Sequence, residues 1–386
     1  MKFKVTKNLI EKAMTRIEAI VPARDMQTLL SNVLLTIEKD KVSITASDME
    51  STVRVYIDAE GSDSGELIVR AKKLSEIAKQ LSSDDFIFNA QKSEIEEPIE
   101  DEEEIAYQIQ IEGSSQKAAK FRMTGSDRSH FPDINIIDEK KLSSVPTEVL
   151  SEMIEKTIYS ISHEDNRYIY NGLFISSEGS KLTVVGTDGR RLAAVSRSIP
   201  NPVQLGSNEE EKDIVIHAKA IRELQRIIEG SSEIFLGVEK RDIFFRTPEA
   251  ELSSRLLEGK FPDYRRVIPG EATITFSMEK NAFADALKQV MVMTEQPSHQ
   301  IRLSVKKGSL DIMANTPDLG EAEIRLPIDY NGEDLDIGFN ALYIVDIIKS
   351  LDCEKIQIEL NDASKPIVIK DPDDPEFIAL VMPMKI

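Results

Sequence analysis

Two hydrophobic periods alternate along this chain, and the alternation recurs three times. In residues 5–20 the apolar positions Leu9, Ile10, Ala13, Met14, Ile17 and Ile20 fall on one face at helical spacing, with Lys7, Lys12 and Arg16 on the other. The same spacing returns at 146–161 and 278–293. After each helical stretch the period shortens to two, over 41–55, 181–195 and 309–326. The middle copy, KLTVVGTDGRRLAAV, is the clearest: Leu182, Val184 and Gly186 alternate with small or polar neighbours, Asp188-Gly189 makes a turn, and Leu192 to Val195 begin a return strand. Asp-Gly between apolar runs predicts a hairpin, because both residues tolerate positive φ. A strand and a short helix follow each hairpin, over 66–81, 213–228 and 335–351. The first of these helices has its apolar stripe at Leu74, Ile77, Ala78 and Leu81 and shows Lys72, Lys73 and Lys79.

Ala46, Gly186 and Ala314 are matching positions in the three hairpins, 140 and 128 residues apart. HFPDI at 130–134 and KFPDY at 260–264 close the first two thirds, and FIALVMPMKI closes the chain. This period is too long for a solenoid and right for a domain. The reading is α+β, three domains of one design: 1–138, 139–268 and 269–386. Further strands are predicted at 33–37, 52–57, 86–90, 105–111 and 119–125, with Arg24 exposed in a loop at 21–26. The acidic run at 91–104 reads as a solvated hairpin tip. Thr147 reads as the N-cap of the helix it precedes, without a capping box because position 150 is Leu. The tail reads as an edge strand of the last sheet.

Composition narrows the function. The 386 residues carry a net charge of −20 with 30% charged side chains and one cysteine, Cys353, expected to be a small half-buried residue. That balance argues for a soluble protein in a reducing compartment, with no disulfide framework, no membrane-length apolar run and no signal peptide, hence cytoplasmic. His130, His163, His217 and His299 are scattered without metal-ligand spacing, and phosphate-loop, dinucleotide and nucleophile-elbow motifs are absent. Asp48 and Asp188 recur at hairpin turns, where turn chemistry accounts for them. The chain is therefore expected to be no enzyme and to need neither metal nor cofactor. The six helical segments together sum to +2, which leaves −22 on the strands and loops. A basic helical track could neutralise phosphates without reading bases; amphipathic helices richer in lysine than acidic loops would give the same numbers.

TDGRRLA (187–193), FPDYRRVIP (261–269) and VMPMKI (381–386), in this order and within a three-domain repeat of this length, resemble the β sliding clamps of bacterial DNA polymerase III. The resemblance spans the whole chain. It implies two βαβββ halves per domain, helices inside and sheets outside, and a head-to-tail homodimeric ring around duplex DNA that gives processivity without sequence preference. Partners would be the polymerase III α subunit, the clamp-loader complex, and other polymerases and repair proteins, all docking by short linear motifs. Their cleft, between the second and third domains, would take Thr187, Gly189, Arg190, Arg191 and Leu192 from the central hairpin and Tyr170 from RYIYNG. Pro262, Arg266 and Val267 would come from FPDYRRV, Asn340 and Tyr343 from GFNALY, and Ser364 and Pro366 from the SKP stretch. Leu380, Val381, Met382, Pro383, Met384 and Lys385 of the tail would complete it.

Flexible thioethers at Met382 and Met384 suit a surface that accommodates several partners. Arg190 stands where the family commonly has His, Tyr170 where it has Leu, and Ile169 where a second aromatic would adjoin Tyr168. Implied DNA contacts are Arg24, Tyr168, Lys72 and Lys73. Implied dimer contacts are Lys73, Lys120, Phe121 and Met123 of the first domain against Val292, Met293, Asp318 and Glu321 of the third, with Lys73–Asp318 and Lys120–Glu321 as rim ion pairs. From the residues alone, a peptide-binding scaffold that never encircles DNA and a hydrolase with carboxylate-held metal remain alternatives.

Overall fold

The computed structural model describes residues 1–21, 30–61, 63–93, 106–114, 119–206, 212–317 and 319–386. Arg24, Asp318 and residues 94–104 of the acidic run lie outside them. Residues 91–93 of that run continue the strand Asp85–Ser93, which pairs with Ala106–Glu112 up to Ser93 opposite Ala106. Six helices recur in the predicted places: α1 (Lys7–Ile17), α2 (Ala71–Gln80), α3 (Thr147–Glu155), α4 (Ala218–Ile227), α5 (Lys280–Met291) and α6 (Ala341–Lys349).

The chain gathers into two compact units, the first holding Met1–Thr147 and Lys219–Leu256, the second Glu148–Leu205, the strand Asp213–His217, and Leu257–Ile386. In the first unit one antiparallel sheet of 13 strands runs from Ser143–Pro146 through Glu233–Glu239, Asp242–Arg246, Ala250–Arg255, Ser51–Asp58, Lys41–Ser47, Asn32–Ile37 and Gly65–Arg70. It continues through Lys120–Ser126, Ala106–Glu112, Asp85–Ser93 and Lys2–Thr6 to Glu60–Gly61. It nearly parts in the middle, because Gly65–Arg70 meets Lys120–Ser126 through one residue pair, Ile68 opposite Ser126. α1 packs on α2, and the apolar stripe Ile10, Ala13, Met14, Ile17 and Ile20 is buried as its spacing requires.

The second unit holds an eight-stranded sheet: Asp213–His217, Gly172–Glu178, Lys181–Thr187, Arg191–Ser198, Asp374–Val381, Ile367–Asp371, Lys355–Leu360 and Ile274–Glu279. Beside it is a four-stranded sheet, Gly320–Pro327, Ser309–Thr316, Gln300–Lys306 and Leu335–Asn340, with α5 packed on α6. The tail strand Asp374–Val381 is therefore an interior strand, hydrogen-bonded to Arg191–Ser198 on one side and Ile367–Asp371 on the other, and not the edge expected from sequence. Sequence repeats thus divide the chain by three, while strand pairing places 233–255 in one unit and 172–217 in the other. The boundaries after residues 138 and 268 describe the repeats and stay a proposal.

The first two hairpins are superimposable in register: Ser47 faces Thr52, and Thr187 faces Leu192. In each, an aspartate at the turn accepts two backbone amides. Asp48 Oδ1 takes Glu50 N at 3.0 Å and Ser51 N at 2.7 Å, and Asp188 Oδ1 takes Arg190 N at 2.8 Å and Arg191 N at 2.9 Å. The next residue takes positive φ, 72° at Met49 and 82° at Gly189. The third hairpin departs from the expected identity. Pro317 occupies that position, its ring fixes φ near −65°, and the closing pair becomes Thr316 with Gly320, four residues apart rather than five, with Gly320 at the positive φ of 111°.

Two lysines at helix starts, Lys7 and Lys280, have internal duties. Lys7 Nζ donates to the carbonyls of Lys79 (3.0 Å) and Leu81 (2.6 Å), so the first residue of α1 closes the last turn of α2. Lys280 Nζ does the same from α5, donating to Leu351 O at 2.6 Å after α6. Thr147 is not the N-cap: it is the first residue of α3, and its buried hydroxyl has no hydrogen-bond partner among the described residues.

Met49 is 67% exposed at positive φ, so its side chain gains little from packing there. Met49→Gly relieves the left-handed strain, offset by the added entropy of the unfolded chain. The expected net gain is about 0.5–1 kcal/mol, read as a raised thermal midpoint; an unchanged or lowered midpoint counts against it.

Candidate functional site: an aromatic-floored apolar cleft

In the second unit, five strands bring side chains to one row across the sheet: Val215, Phe174, Val185, Ala194 and Ile378 are successive cross-strand partners. A second row, Leu192–Leu380–Val368, runs beside it. Leu257 and Phe261 complete the buried cluster, against which Ile169, Tyr170, Tyr264, Ile268, Ile378 and Met382 pack while keeping part of their surface open. Phe261 stacks on Phe174 with centroids 4.8 Å apart, Tyr170 meets Phe261 edge-on at 6.2 Å, and Tyr264 tilts over Phe174 at 6.0 Å. Burial pushes the Tyr264 phenol above its ordinary pKa. A half-open floor of aromatic faces with a methionine at its rim can take apolar side chains of varied shape.

The polar groups around the cluster are largely committed. Arg191 donates to Asp188 Oδ2 at 3.1 Å and Asp346 Oδ2 at 2.8 Å, and its guanidinium lies 4.3 Å from the Tyr343 ring centroid. Only a tenth of its side chain is exposed, so it ties the central hairpin to α6. Thr187 Oγ1 donates to Arg191 O at 2.7 Å and accepts Gly189 N at 3.1 Å. Asn340 caps α6, its Oδ1 accepting Leu342 N at 2.9 Å and its Nδ2 donating to Pro297 O at 3.3 Å.

Past Val381 the tail is held through its own backbone groups as well as the Met382 side chain: Met382 N donates to Arg190 O and Met384 N to Gly338 O, both at 2.8 Å, and Gln300 Nε2 donates to Lys385 O at 2.9 Å. An α3 ion cluster supports the tail strand from beneath. Arg197 pairs with Glu152 (2.6 Å) and Asp374 (2.5 Å), and Lys156 pairs with Asp374 (2.7 Å) and Glu152 (3.0 Å).

The residues named from sequence sort by depth. Leu192 and Leu380 are in the cluster, Tyr170 and Met382 at its open side, and Val381 and Pro366 are buried. Pro262, Arg266, Val267, Gly189, Arg190 and Ser364 are exposed, as is Lys385, while Tyr343, Pro383 and Met384 are half-buried. Phe174, Val185, Val215, Leu257, Phe261, Tyr264, Ile268 and Val368 had not been named. The period of the turn Tyr264–Val267 sends Phe261, Tyr264 and Ile268 inward and the named Pro262, Arg266 and Val267 outward. Phe174 lies in a strand buried on both faces, so alternation does not single it out.

The first unit repeats the lattice with other chemistry. Its corresponding row is Ile68–Leu34–Thr45–Arg54–Glu251, and its second row is Thr52–Ser253–Phe244. The apolar pair Ala194–Ile378 is replaced by the ion pair Arg54–Glu251 at 3.8 Å, and Arg54 Nε also donates to Thr45 Oγ1 at 3.3 Å. The depression there, about 470 Å³, has the Arg54–Glu251 pair in its lining, with Ile134, Ile137 and Phe244 around it.

Of the remaining named residues, Lys72 and Lys73 are exposed on α2, Lys73 pairing with Glu76 at 2.7 Å, and Tyr168 is 56% exposed. Lys120 pairs with Glu112 at 3.2 Å within its own sheet. Phe121 and Met123 are half-buried on one face of Lys120–Ser126, Val292 is 73% exposed, and Glu321 is exposed on Gly320–Pro327. Met293 is half-buried after α5, where its carbonyl accepts Thr316 Oγ1 at 2.7 Å. No metal-holding cluster occurs among the described residues, and no helix is long and apolar enough to cross a membrane.

Paired helices on long antiparallel sheets, repeated three times in sequence, define the DNA-clamp class of folds. Residues 1–132, 144–263 and 265–385 match, in turn, the N-terminal, central and C-terminal domains of the DNA polymerase III β subunit. The chain belongs to that family, the β sliding clamps of DNA polymerase III. It is 27% identical to the β sliding clamp of Chlamydia pneumoniae over 100% of this chain and 99% of the relative. To that of Pseudomonas putida it is 29% identical, over 100% of both. The crystal structure of the Pseudomonas aeruginosa clamp bound to griselimycin superimposes with a TM-score of 0.86 at 27% identity, again over both whole chains. The three-domain α+β clamp fold expected from sequence is therefore borne out.

Two expectations test the site. A Cβ on Gly338 would lie 2.9 Å from Met384 O and 3.2 Å from Ile386, so Gly338→Val should lift the tail off. Hydrogen exchange at the Met384 amide should then quicken while the global midpoint stays within a few degrees; unchanged protection would show that the tail is not held there. For Asp374, burial raises the carboxyl pKa, but Arg197 and Lys156 outweigh it, and the net pKa is lowered. A lowered folded pKa stabilises above the unfolded value and is lost as pH falls through the folded one. Asp374→Asn should cost roughly 2–4 kcal/mol at pH 7 by urea denaturation and markedly less at pH 3; an equal cost at both would contradict the pairing.

Proposed function

We propose that this protein works as a sliding clamp: two copies close head to tail into a ring around duplex DNA, and the cleft in the second unit tethers partners through short linear motifs. The partners in this reading are the polymerase III α subunit, the clamp loader, and other polymerases and repair proteins. Its action is cytoplasmic and needs no catalytic group of its own.

The observation that carries the ring is a pair of open strand edges. Lys120–Gly125 bonds a neighbour on one side only, and Gly320–Pro327 ends the four-stranded sheet. Unpaired edges invite strand addition. The two are complementary in charge and greasiness. Lys120 and Arg122 alternate with Phe121 and Met123 on the first, and Glu321 and Glu323 alternate with Ala322 and Ile324 on the second. Different surfaces meeting head to tail close into a ring when the rotation permits. Lys72, Lys73 and Tyr168 are available to DNA, and contacts of this kind neutralise phosphate without reading bases.

Retention on DNA is the direct test. Loaded by its cognate loader with ATP onto a nicked circular plasmid, the protein should stay through gel filtration and leave when the plasmid is cut. Retention on the linear product would mean ordinary affinity, and failure to load with a verified loader would favour a peptide-binding scaffold. Met293→Lys should leave the fold intact and halve the mass by light scattering; an unchanged mass would remove Met293 from the contact.

A further inference from the structure

The depression in the first unit is built like a site, and its chemistry differs from that of the cleft. Arg54 and Tyr56 stand two residues apart on one face of Ser51–Asp58, and Lys41 and Thr45 share that face on the neighbouring strand. Glu251 and Arg246 continue the row. The stretch after Phe131 forms a wall, with Ile137 buried, Ile134 half-buried and Ile136 75% exposed at the mouth.

Charge along this floor is uneven. Arg246 is well supplied with carboxylates, its Nη1 2.9 Å from Glu139 and its Nε 2.7 Å from Glu251. Arg54 is supplied poorly. Its Nη1 stands 3.8 Å from Glu251, too far for a hydrogen bond, while its Nε donates to Thr45 Oγ1 at 3.3 Å. Lys41 makes no ion pair among the described residues, and its Nζ lies 4.0 Å over the Tyr56 ring. Glu38 is exposed on the rim and does not pair with it. Burial pushes the Tyr56 phenol above its ordinary pKa, so it remains a hydrogen-bond donor. One side of the depression therefore presents two under-paired cations and a phenol, and the other an isoleucine surface.

We infer that this depression docks an extended segment of a partner protein that carries an acidic and an apolar side chain close together: the carboxylate sits on Lys41 and Arg54, and the apolar group lies on Ile134 and Ile136. A guanidinium without a close carboxylate is matched by one from outside, in the planar geometry that arginine favours. An isoleucine exposed at the mouth of a depression gains by being covered. A volume of about 470 Å³ is ligand-sized and admits a short stretch of chain, not a folded surface. The inference stands apart from the ring and from the apolar cleft, whose floor has Ala194 and Ile378 where this one has Arg54 and Glu251.

The test uses the full-length protein with carbon-13 in the isoleucine δ1 methyls, followed by NMR. Ile134 and Ile136 report on this site, and Ile268 and Ile378 on the cleft. The probes are the tripeptides Glu-Leu-Glu and Gln-Leu-Gln, blocked at both ends, and blocked glutamate alone. Glu-Leu-Glu should shift the Ile134 and Ile136 signals saturably and bind about three- to fivefold tighter than Gln-Leu-Gln, the range that exposed pairs supply. The preference should fade at 1 M salt. Lys41→Gln should reduce it at an unchanged thermal midpoint, and Arg54→Gln should remove the rest. Ile136→Ala should weaken both tripeptides alike. Lys41→Gln and Ile136→Ala carry the test if Arg54→Gln unfolds. No shift at Ile134 and Ile136, or shifts confined to Ile268 and Ile378, overturns the inference. Equal binding of the two tripeptides does so too, as does a preference untouched by the substitutions. Blocked glutamate binding as tightly as Glu-Leu-Glu would make this a small-anion site and overturn the docking of a segment.

Discussion

Every strand brings a row of backbone donors and acceptors that must be paired or left to water, and that demand organises this molecule more than any side-chain contact. It joins the repeats. Ala250–Arg255 hydrogen-bonds Ser51–Asp58, and Asp374–Val381 hydrogen-bonds Arg191–Ser198, so each junction is continuous sheet and needs no separate interface. Several strands keep an unbonded side among the described residues, and two of them, Lys120–Gly125 and Gly320–Pro327, carry opposite charge. That complementarity is the physical reason to look for a second copy. Isolated edges this long, with apolar residues on one face, would be an aggregation hazard in a monomer.

The same lattice builds the cleft and explains why it occurs once in a repeated design. Corresponding rows carry Val215–Phe174–Val185–Ala194–Ile378 in one unit and Ile68–Leu34–Thr45–Arg54–Glu251 in the other. Backbone geometry is common to both. Arg54 and Glu251 stand as an ion pair where the second unit has Ala194 and Ile378, and Thr45, Thr52 and Ser253 stand where it has Val185, Leu192 and Leu380. Binding chemistry is thus set by side chains on an indifferent frame. Around the apolar version, Thr187, Asn340 and Arg191 have their polar groups spent on neighbours, which keeps the floor rigid and leaves recognition to aromatic faces and Met382.

The fold was legible wherever a local rule decides it. Helical spacing placed all six helices, and the Asp-Gly turn fixed the central hairpin with Asp188 as the amide acceptor. Legibility ended where pairing is non-local. Nothing in FIALVMPMKI says that the strand lies between two others rather than at an edge, because that depends on a partner nearly 190 residues away. The third hairpin failed for a readable reason, since Pro317 excludes positive φ and could have been weighed. At the cleft, motif likeness reached the exposed rim and, of the buried cluster, only Leu192 and Leu380. Phe174, Val215 and Val368 have unremarkable strand sequences around them and meet only through the sheet. Arg191, named for the cleft from TDGRRLA, also ties the hairpin to α6 through Asp188 and Asp346.

Charge is where sequence arithmetic needed most revision. A helical sum of +2 against −22 elsewhere suggests a basic lining, yet formal charge is not available charge. Lys7 and Lys280 are spent on the carbonyl ends of α2 and α6, where a cation is favoured by the unsatisfied C=O groups. Arg16 is paired with Glu249 at 2.7 Å, and Lys73 with Glu76. What remains exposed on the first two helices is sparse: Lys12, Lys72 and Lys79, with Lys73 half-compensated. On the clamp reading that scarcity is the useful property. Retention by a closed ring does not depend on affinity, so each additional phosphate contact would add friction to sliding and salt sensitivity to binding without adding hold. A strongly basic lining would serve a protein that grips DNA; a thin one serves a protein that must stay on it while moving.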